Sequence, residues 1–475
     1  MEWVNWIFGI LYFLLIISTV VSVMLDNHEP AETIAWIIAI VAIPGLGLLL
    51  YYFFGQNIRR KRVIGKRSVD LLTRKIMSKY VSQESYYKED DEDVALIRFF
   101  KRHGMALPFG GNRGQYYTYG REWLIDLLRD IGRARHHVHL EFFIIENDPV
   151  GQLVKDALLD AVKRGVRVRL IYDDVGCWSV RKRFFREMAD GGIEVESFMP
   201  VHVPVLAHRV NYRNHRKLVI IDGRTGYIGG MNLALRYVRG VHGGEWRDLQ
   251  MRLQGGGVWA MQLLFLADWY VACKQMITDP VYYPDVGKWP SQEGALIQIV
   301  QSAPFSAWPN LLMGFNKVIQ SARRYILLQT PYFMPTASLI SSLQTAAMSG
   351  VKVQLMVPKR PGGFWMTWAN ESYFGDMLRA GVEVLLYTPG MLHAKLIVVD
   401  DHFVSVGSAN LDFRSMLDTF EDSALIYDDE MALRAKALYK EAKLKCERIN
   451  LQRWNKRNLR RRLIESFVRI FSPMF

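Results

Sequence analysis

The segment NYRNHRKLVIIDGRTGYIGGMN, residues 211–232, has a second version in the same chain, MLHAKLIVVDDHFVSVGSAN, residues 391–410. Both follow one spacing: His, any residue, Lys, four residues, Asp, six residues, Gly-Gly or Gly-Ser, any residue, Asn. A single histidine beside a strand is ordinary, but recurrence of the whole spacing favours a duplicated functional site. The motif residues are His215, Lys217, Asp222, Gly230 and Asn232 in the first copy, and His393, Lys395, Asp400, Ser408 and Asn410 in the second.

Each copy is typical of a β-hairpin. The His-x-Lys spacing places imidazole and ammonium on the same face of a strand, because side chains alternate with a period of two. The apolar runs 218–221 and 396–399 suit a strand buried on both faces. Asp222-Gly223 and Asp400-Asp401 then supply turn residues. The following Gly-Gly or Gly-Ser pair allows a close approach of the backbone to a ligand or a neighbouring strand.

Two His-Lys pairs brought into one site would suit phosphodiester chemistry. Two ammonium groups bind a phosphate, while one imidazole serves as nucleophile and the other as acid. We predict as catalytic the residues His215, Lys217, Asp222, His393, Lys395 and Asp400, although turn support explains both aspartates equally well.

A histidine nucleophile also needs an acceptor on its second nitrogen to fix its tautomer. Asp248 and Glu421 follow the two hairpins at comparable distances and are the candidates for that role, with ordinary surface carboxylates as the alternative. Asn232, Asn410, Gly230 and Ser408 are the candidates for binding or supporting the phosphate.

The motif and its surroundings resemble the bacterial cardiolipin synthase family of the phospholipase D superfamily. The resemblance rests on NYRNHRK (211–217), TPYF (330–333) and YTPG (387–390), and it covers nearly the whole chain. One departure is Asp418, where the family commonly has Asn.

The resemblance implies a phosphatidyl transfer from one phosphatidylglycerol to another, giving cardiolipin and glycerol through a phosphohistidine. Superfamily precedent implies His215 as nucleophile and His393 as acid and base; the residues alone do not distinguish them. Lys217, Lys395 and the two asparagines would stabilise charge on the phosphoryl oxygens. No cofactor is expected, and the three isolated cysteines suggest no metal site.

Other sequence echoes predict a duplicated α/β fold. Residues 135–145 parallel 323–333, residues 165–170 parallel 350–355, and residues 192–195 parallel 381–384. Alternation of helix, Gly and strand predicts βα units with a largely parallel sheet. We therefore expect two tandem phospholipase D-like α/β/α domains sharing one active site, at 111–285 and 286–428.

An N-terminal transmembrane hairpin, residues 1–57, is predicted ahead of these domains. Its spans, about 3–25 and 33–54, are apolar and long enough for a bilayer. Basic residues at 59–67 follow the second span, so the positive-inside rule predicts a multi-pass protein of the inner (cytoplasmic) membrane with catalytic domains on the cytoplasmic side. Residues 58–110 form a charged connector. Residues 429–475 form a basic amphipathic tail, which would lie on an anionic membrane or pack on the protein core.

The formal net charge of +13 favours a polyanionic partner, either nucleic acid or anionic lipid. Because Lys and Arg concentrate beside the apolar segments and in the tail, we expect membrane lipid and no nucleic acid. A superfamily nuclease and a non-catalytic membrane scaffold are the more distant alternatives. Hydrolysis by water, or transfer to phosphatidylethanolamine, needs only a different acceptor. The sequence leaves the oligomeric state open, including a homo-oligomer.

Overall fold

The computed structural model describes residues 2–25, 30–55, 93–103, 106–201, 212–241, 243–282 and 294–474. The predicted basic cluster at 59–67, most of the connector 58–110 and the predicted domain boundary at 285/286 lie outside these residues.

The strands of the described residues fall into one large sheet and two short two-stranded sheets. In chain order they are β1 (Pro108–Tyr117), β2 (His137–Phe142), β3 (Arg167–Asp173), β4 (Glu194–Phe198), β5 (Lys217–Ile221), β6 (Thr225–Gly229), β7 (Glu245–Arg247), β8 (Gln250–Gln254), β9 (Ala295–Ser302), β10 (Tyr325–Gln329), β11 (Phe333–Met334), β12 (Lys352–Pro358), β13 (Glu383–Tyr387), β14 (Gly390–Leu392), β15 (Leu396–Val399), β16 (Phe403–Gly407), β17 (Leu411–Asp412), β18 (Glu421–Tyr427) and β19 (Cys446–Arg448).

The large sheet joins the two halves of the chain edge to edge. Its order is β19-β13-β12-β10-β15-β16-β18-β9-β1-β8-β6-β5-β2-β3-β4, and the halves meet where β1 pairs with β9. Each half repeats one arrangement, with parallel pairing in β2-β3-β4 and β10-β12-β13 and antiparallel pairing toward the centre. The prediction of a largely parallel sheet is therefore wrong, because the motif hairpins and their neighbours β8 and β18 pair antiparallel.

Helices cover both faces of this sheet. Along β5, Leu218 and Ile220 face a core formed with the helix Gly257–Cys273, whereas Val219 and Ile221 face the helices on the other side. Alternate burial on two faces explains why the run is continuously apolar. The predicted repeated α/β fold is thus confirmed. The helices are Glu2–Leu25, Pro30–Ala42, Pro44–Leu50, Val94–His103, Gly120–Arg133, Pro149–Lys163, Lys182–Asp190, Leu235–Arg239, Gly257–Cys273, Asn310–Ser321, Ala337–Met348, Phe364–Arg379, Phe413–Leu417, Asp429–Lys443, Leu451–Asn455 and Leu459–Ile470.

The two motif copies form the predicted hairpins, β5–β6 and β15–β16. In both turns the aspartate adopts a left-handed backbone, with φ of 54° at Asp222 and 52° at Asp400. Asp is among the residues that tolerate this conformation. The tight turns place His215 and His393 at the opposite end of their strands, where each half meets the other.

The N-terminal segment begins with the helix Glu2–Leu25, but the second predicted span is divided. Its helices are Pro30–Ala42 and Pro44–Leu50, followed by a π-helical turn at Tyr51–Gly55. Pro44 accounts for the break, because proline has no N–H to continue the helical hydrogen bonds. Within the described part of the chain, no helix meets the combined length and hydropathy needed to cross a bilayer.

The predicted tail packs largely against the second half of the fold. The helix Asp429–Lys443 is N-capped by Asp428 and buries Met431 and Tyr439 in the core beside the sheet. The last helix, Leu459–Ile470, packs on the helix Phe364–Arg379. Residues 429–474 therefore complete the second half of the fold instead of forming a separate domain.

Candidate active site

His215 is held by a residue from the other half of the chain. Its backbone N–H donates to the Phe420 carbonyl at 2.9 Å. This bond places the segment before β5 alongside the start of β18. Nδ1 of its imidazole then lies 3.0 Å from Oε1 and 3.1 Å from Oε2 of Glu421. The contact fixes the tautomer and leaves Nε2 as the nitrogen able to face a substrate.

Two hydroxyl groups fix the Glu421 carboxylate in turn. Thr419 Oγ1 donates to Oε1 at 2.7 Å, and Ser408 Oγ donates to Oε2. Burial alone would raise the pKa of Glu421, but the neighbouring His215 and Lys217 and the Ser408 hydroxyl lower it to about 2. The carboxylate is therefore ionised and presents a fixed negative charge to the imidazole.

His393 has the reciprocal arrangement. Its N–H donates to the Arg247 carbonyl at 2.7 Å, and its Nδ1 lies 2.6 Å from Oδ2 of Asp248, both residues of the first half. The strand β7, which ends at Arg247, pairs with β14, which ends just before His393. Each histidine is thus oriented by a carboxylate from the opposite half.

Burial gives both imidazoles a strong preference for the neutral form. Burial lowers the pKa of His215 to about 4, against the opposing effect of Glu421. Burial and the adjacent Lys395 lower the pKa of His393 to about 3. A neutral imidazole has the free lone pair that a nucleophile requires.

The two motif lysines are buried at the same place. Lys217 donates to the His215 carbonyl, and its Nζ lies 5.3 Å from the centre of the Phe143 ring. Lys395 donates to the His393 carbonyl at 2.6 Å. Burial lowers the pKa of Lys217 to about 7 and that of Lys395 to about 8, and Lys395 adds to the lowering at Lys217. An anion bound between them would favour both ammonium forms.

The motif aspartates do not lie in this cluster, which corrects their grouping with the catalytic residues. Asp222 accepts the backbone N–H groups of residues 135–137 at 2.8–3.0 Å, at the far end of β5. Asp400 accepts those of residues 323–325 at 2.6–2.9 Å in the second half. Both carboxylates anchor the start of a central strand to the hairpin turn, so their role is structural.

The side-chain amides of the two candidate phosphate-binding asparagines contact protein groups. Asn232 accepts from Ile144 N at 3.0 Å and donates to the Tyr237 hydroxyl at 2.6 Å, so both ends of its amide have partners. Asn410 Nδ2 donates to Asp412 at 3.0 Å, and its buried Oδ1 has no hydrogen-bond partner among the described residues. These contacts make Asn232 a support for the segment after β2, not a phosphate ligand.

Gly230 and Ser408 support the carboxylates. A Cβ at Gly230 would lie 2.1 Å from Oδ1 of Asp248, so only glycine leaves room for that carboxylate. Ser408 occupies the equivalent position in the second copy, and its hydroxyl bonds Glu421. The Gly-Gly and Gly-Ser pairs therefore shape the carboxylate partners of the histidines.

Sequence reasoning missed the aromatic walls of the site and Thr419. The ring of Phe143 lies 5.0 Å from His215, while Trp246 and Tyr332 lie 5.6 and 6.4 Å from His393. Phe143 and Tyr332 belong to the parallel segments 135–145 and 323–333, so this repeat was the sequence signal that could have identified them as site residues. In the described residues, no group of three or more His, Cys, Asp or Glu could hold a metal ion.

Comparison with known proteins agrees with the duplicated site. The family model described as cardiolipin synthase, PLD-like domain, matches residues 127–242 and 315–442, one match around each motif copy. A second model, described as phospholipase D-nuclease N-terminal, matches residues 10–56.

Relatives match over nearly the full length. The major cardiolipin synthase ClsA of Bacillus subtilis (strain 168) is 37% identical, covering 98% of each chain. Cardiolipin synthase 2 of Bacillus anthracis is 35% identical, covering 95% of this chain and 88% of its own. The crystal structure of phosphatidylserine synthase from Haemophilus influenzae Rd KW20 superposes with a TM-score of 0.59 at 13% identity, over 80% of this chain and 98% of that one, and shows the shared fold. The chain belongs to the cardiolipin synthase family of phospholipase D-like proteins.

Proposed function

We propose that this chain is a cardiolipin synthase that transfers the phosphatidyl group of one phosphatidylglycerol to the terminal hydroxyl of another. Each of the two buried histidines pairs with a carboxylate from the opposite half of the chain. This reciprocal pairing is the observation that carries the proposal. This arrangement provides two imidazoles beside a pair of lysines, which suits phosphoryl transfer through a covalent intermediate.

In the first step, Nε2 of His215 attacks the phosphorus of phosphatidylglycerol. An N–P bond forms, the P–O bond to glycerol breaks, and His393 donates a proton to the departing glycerol oxygen. Burial and Lys395 lower the pKa of His393, and the negative charge of a bound phosphodiester opposes that lowering by favouring the protonated form. Glu421 stabilises the positive charge that develops on His215.

In the second step, the hydroxyl of another phosphatidylglycerol attacks the phosphohistidine. His393 takes the hydroxyl proton, the N–P bond breaks, and cardiolipin leaves with His215 restored. Lys217 and Lys395 stabilise the charge on the phosphoryl oxygens in both steps. The two steps consume two phosphatidylglycerols and release one cardiolipin and one glycerol.

We also propose that the N-terminal helices attach the enzyme to the inner membrane with the catalytic halves in the cytoplasm. The helix Glu2–Leu25 exposes large apolar side chains along its length, among them Trp3, Ile10 and Phe13. Such exposure is unfavourable in water and favourable in lipid. The basic segment 59–67, which follows these helices, would contact anionic headgroups.

Mass spectrometry of the products from phosphatidylglycerol vesicles tests the reaction. Cardiolipin and free glycerol from phosphatidylglycerol alone are expected. Cardiolipin formed only with added phosphatidylethanolamine would assign that lipid as co-substrate, and phosphatidic acid alone would identify water as the acceptor. Either result would reject the proposed reaction.

A further inference from the structure

Four exposed aromatic side chains lie on segments that adjoin the active site. Trp178, Trp308, Phe364 and Trp365 are 52%, 53%, 60% and 53% exposed, and we call them the rim aromatics. Beyond the N-terminal helices, the other exposed aromatic side chains of the described residues are Phe467 and Phe471, on and just after the last helix. Single exposed apolar residues need no explanation, but four aromatic rings on segments beside one site do.

Trp178 lies in the turn after β3, close to the wall of the site. The adjacent Cys177 donates its thiol to the Phe143 carbonyl at 3.6 Å and accepts the Ile145 N–H at 3.3 Å. The ring of Phe143 in turn contacts His215 at 5.0 Å. The turn that carries Trp178 is therefore one side chain away from the nucleophile.

Trp308 lies in a loop beside the segment that carries Glu421. It follows β9, whose last residue, Ser302, pairs in register with Glu421. In the same loop, the Phe305 ring lies 5.1 Å from the ring of Phe420, the residue before Glu421.

Phe364 and Trp365 begin the helix Phe364–Arg379 after β12 in the second half. Within that helix, Asn370 accepts the Phe333 N–H at 2.9 Å and donates to the Pro331 carbonyl at 3.1 Å. The intervening Tyr332 lies 6.4 Å from His393. The segments that carry the rim aromatics thus come from both halves of the fold and contact the surroundings of both histidines.

Cations accompany these aromatics. Arg181 and Lys182 are exposed just after Trp178, and Lys359 and Arg360 are exposed just before Phe364. Aromatic rings combined with Lys and Arg are the usual composition of surfaces that enter the headgroup region of anionic membranes. A net charge of +13 acts in the same direction.

We propose that the rim of the active site docks on the anionic membrane surface, with the rim aromatics inserted in its interfacial layer. Docking there presents the headgroup phosphates to His215 and His393 while the acyl chains stay in the bilayer. The inference deepens the proposed function, because both lipid substrates then react without leaving the membrane.

The test compares membrane-bound and dissolved substrate. The full chain with all four rim aromatics changed to Ser is assayed on phosphatidylglycerol vesicles and on a short-chain phosphatidylglycerol dissolved as monomers. We expect turnover on vesicles to fall about tenfold or more, because each inserted ring contributes roughly that factor to membrane affinity. Turnover on the monomeric substrate should match the unaltered protein. Met348→Ser with Leu433→Ser, exposed at the opposite edge, is the matched control and should leave both activities unchanged.

A second readout does not depend on catalysis. Vesicle lipids brominated near the headgroup should quench part of the tryptophan fluorescence, and Trp178→Phe with Trp308→Phe should remove part of that quenching. Equal quenching before and after this change, or equal loss of activity on vesicles and monomers, would overturn the docking proposal. Failure of the unaltered protein to form cardiolipin from either substrate would reject the proposed function instead, and the quenching experiment would still decide the docking.

Discussion

Nδ1 of His215 lies 3.0 Å from Oε1 of Glu421, although the two residues are 206 positions apart and belong to different halves of the chain. His393 and Asp248 form the reciprocal contact at 2.6 Å. Neither half alone therefore contains a complete histidine-carboxylate pair. The exchange explains why two full motif copies occur in one polypeptide, since each copy supplies the histidine that the other half orients.

Glu421→Gln should lower kcat strongly and leave KM nearly unchanged. The amide keeps the size of the side chain but removes the charge that stabilises a positive imidazole and fixes its tautomer. Loss of the corresponding carboxylate in a serine protease triad costs about 10⁴-fold, and we expect on the order of 10²- to 10⁴-fold here. Steady-state kinetics on vesicles measure the effect.

Glu430→Gln is the matched control, since Glu430 pairs with Arg434 on the surface. An unchanged kcat for Glu421→Gln, with the fold intact by circular dichroism, would remove Glu421 from the mechanism.

Asp222→Asn should destabilise the fold without impairing the chemistry. The carboxylate accepts three backbone N–H groups at the start of β2, and one amide oxygen cannot replace both carboxylate oxygens. We expect a loss of about 1–3 kcal/mol in the free energy of unfolding. Thermal melting and the kcat of the folded protein are the two measurements. A large drop in kcat with unchanged stability would return the motif aspartates to the catalytic set.

Gly230→Ala should inactivate the enzyme by displacing Asp248. The new methyl group would lie 2.1 Å from the carboxylate oxygen of Asp248, which would have to move from His393. Gly132→Ala is the control: a Cβ there meets no atom within 4 Å, and Gly132 lies within the helix Gly120–Arg133. The control should retain activity and gain up to about 1 kcal/mol of stability. Equal activity in the two variants would contradict the proposed role of Asp248.

The motif spacing predicted that His215, Lys217, His393 and Lys395 would share one site, and the structure brings these four side chains together. Their assembly into one cluster follows from β1–β9 pairing and from the backbone contacts at Phe420 and Arg247. Those contacts join residues far apart in sequence, and no local pattern encodes which carboxylate reaches which histidine.

The motif aspartates and Asn232 show what the motif spacing could not predict. Recurrence in both copies made them candidates for chemistry, yet a recurrent residue can equally preserve a repeated turn. Asp222 binds backbone N–H groups 85–87 positions earlier, and Asn232 reaches Ile144 and Tyr237. Spacing alone reports that a position matters to both halves. It does not report whether the side chain faces the substrate or the scaffold.

His402 should give the fold a stability contribution that depends on pH. Its imidazole lies between two carboxylates, with Nε2 2.6 Å from Asp93 and Nδ1 beside Asp429. These hydrogen bonds raise the pKa of His402 from 6.5 to about 9 despite partial burial, and the bond to Asp93 has the largest effect. Because the folded pKa exceeds the unfolded one, the contribution is complete below pH 6.5, declines between pH 6.5 and 9, and is absent above pH 9.

We therefore expect His402→Gln to lower the melting temperature at pH 6 and to leave it nearly unchanged at pH 10. The imidazole is about half exposed, so solvent screening keeps the effect small. His136→Gln, at an exposed histidine of the first half, controls for the substitution itself. The melting temperatures of the unaltered protein and the two variants are measured at both pH values. An equal decrease in the melting temperature of His402→Gln at pH 6 and pH 10 would mean that His402 stabilises the fold by packing and not through its charge.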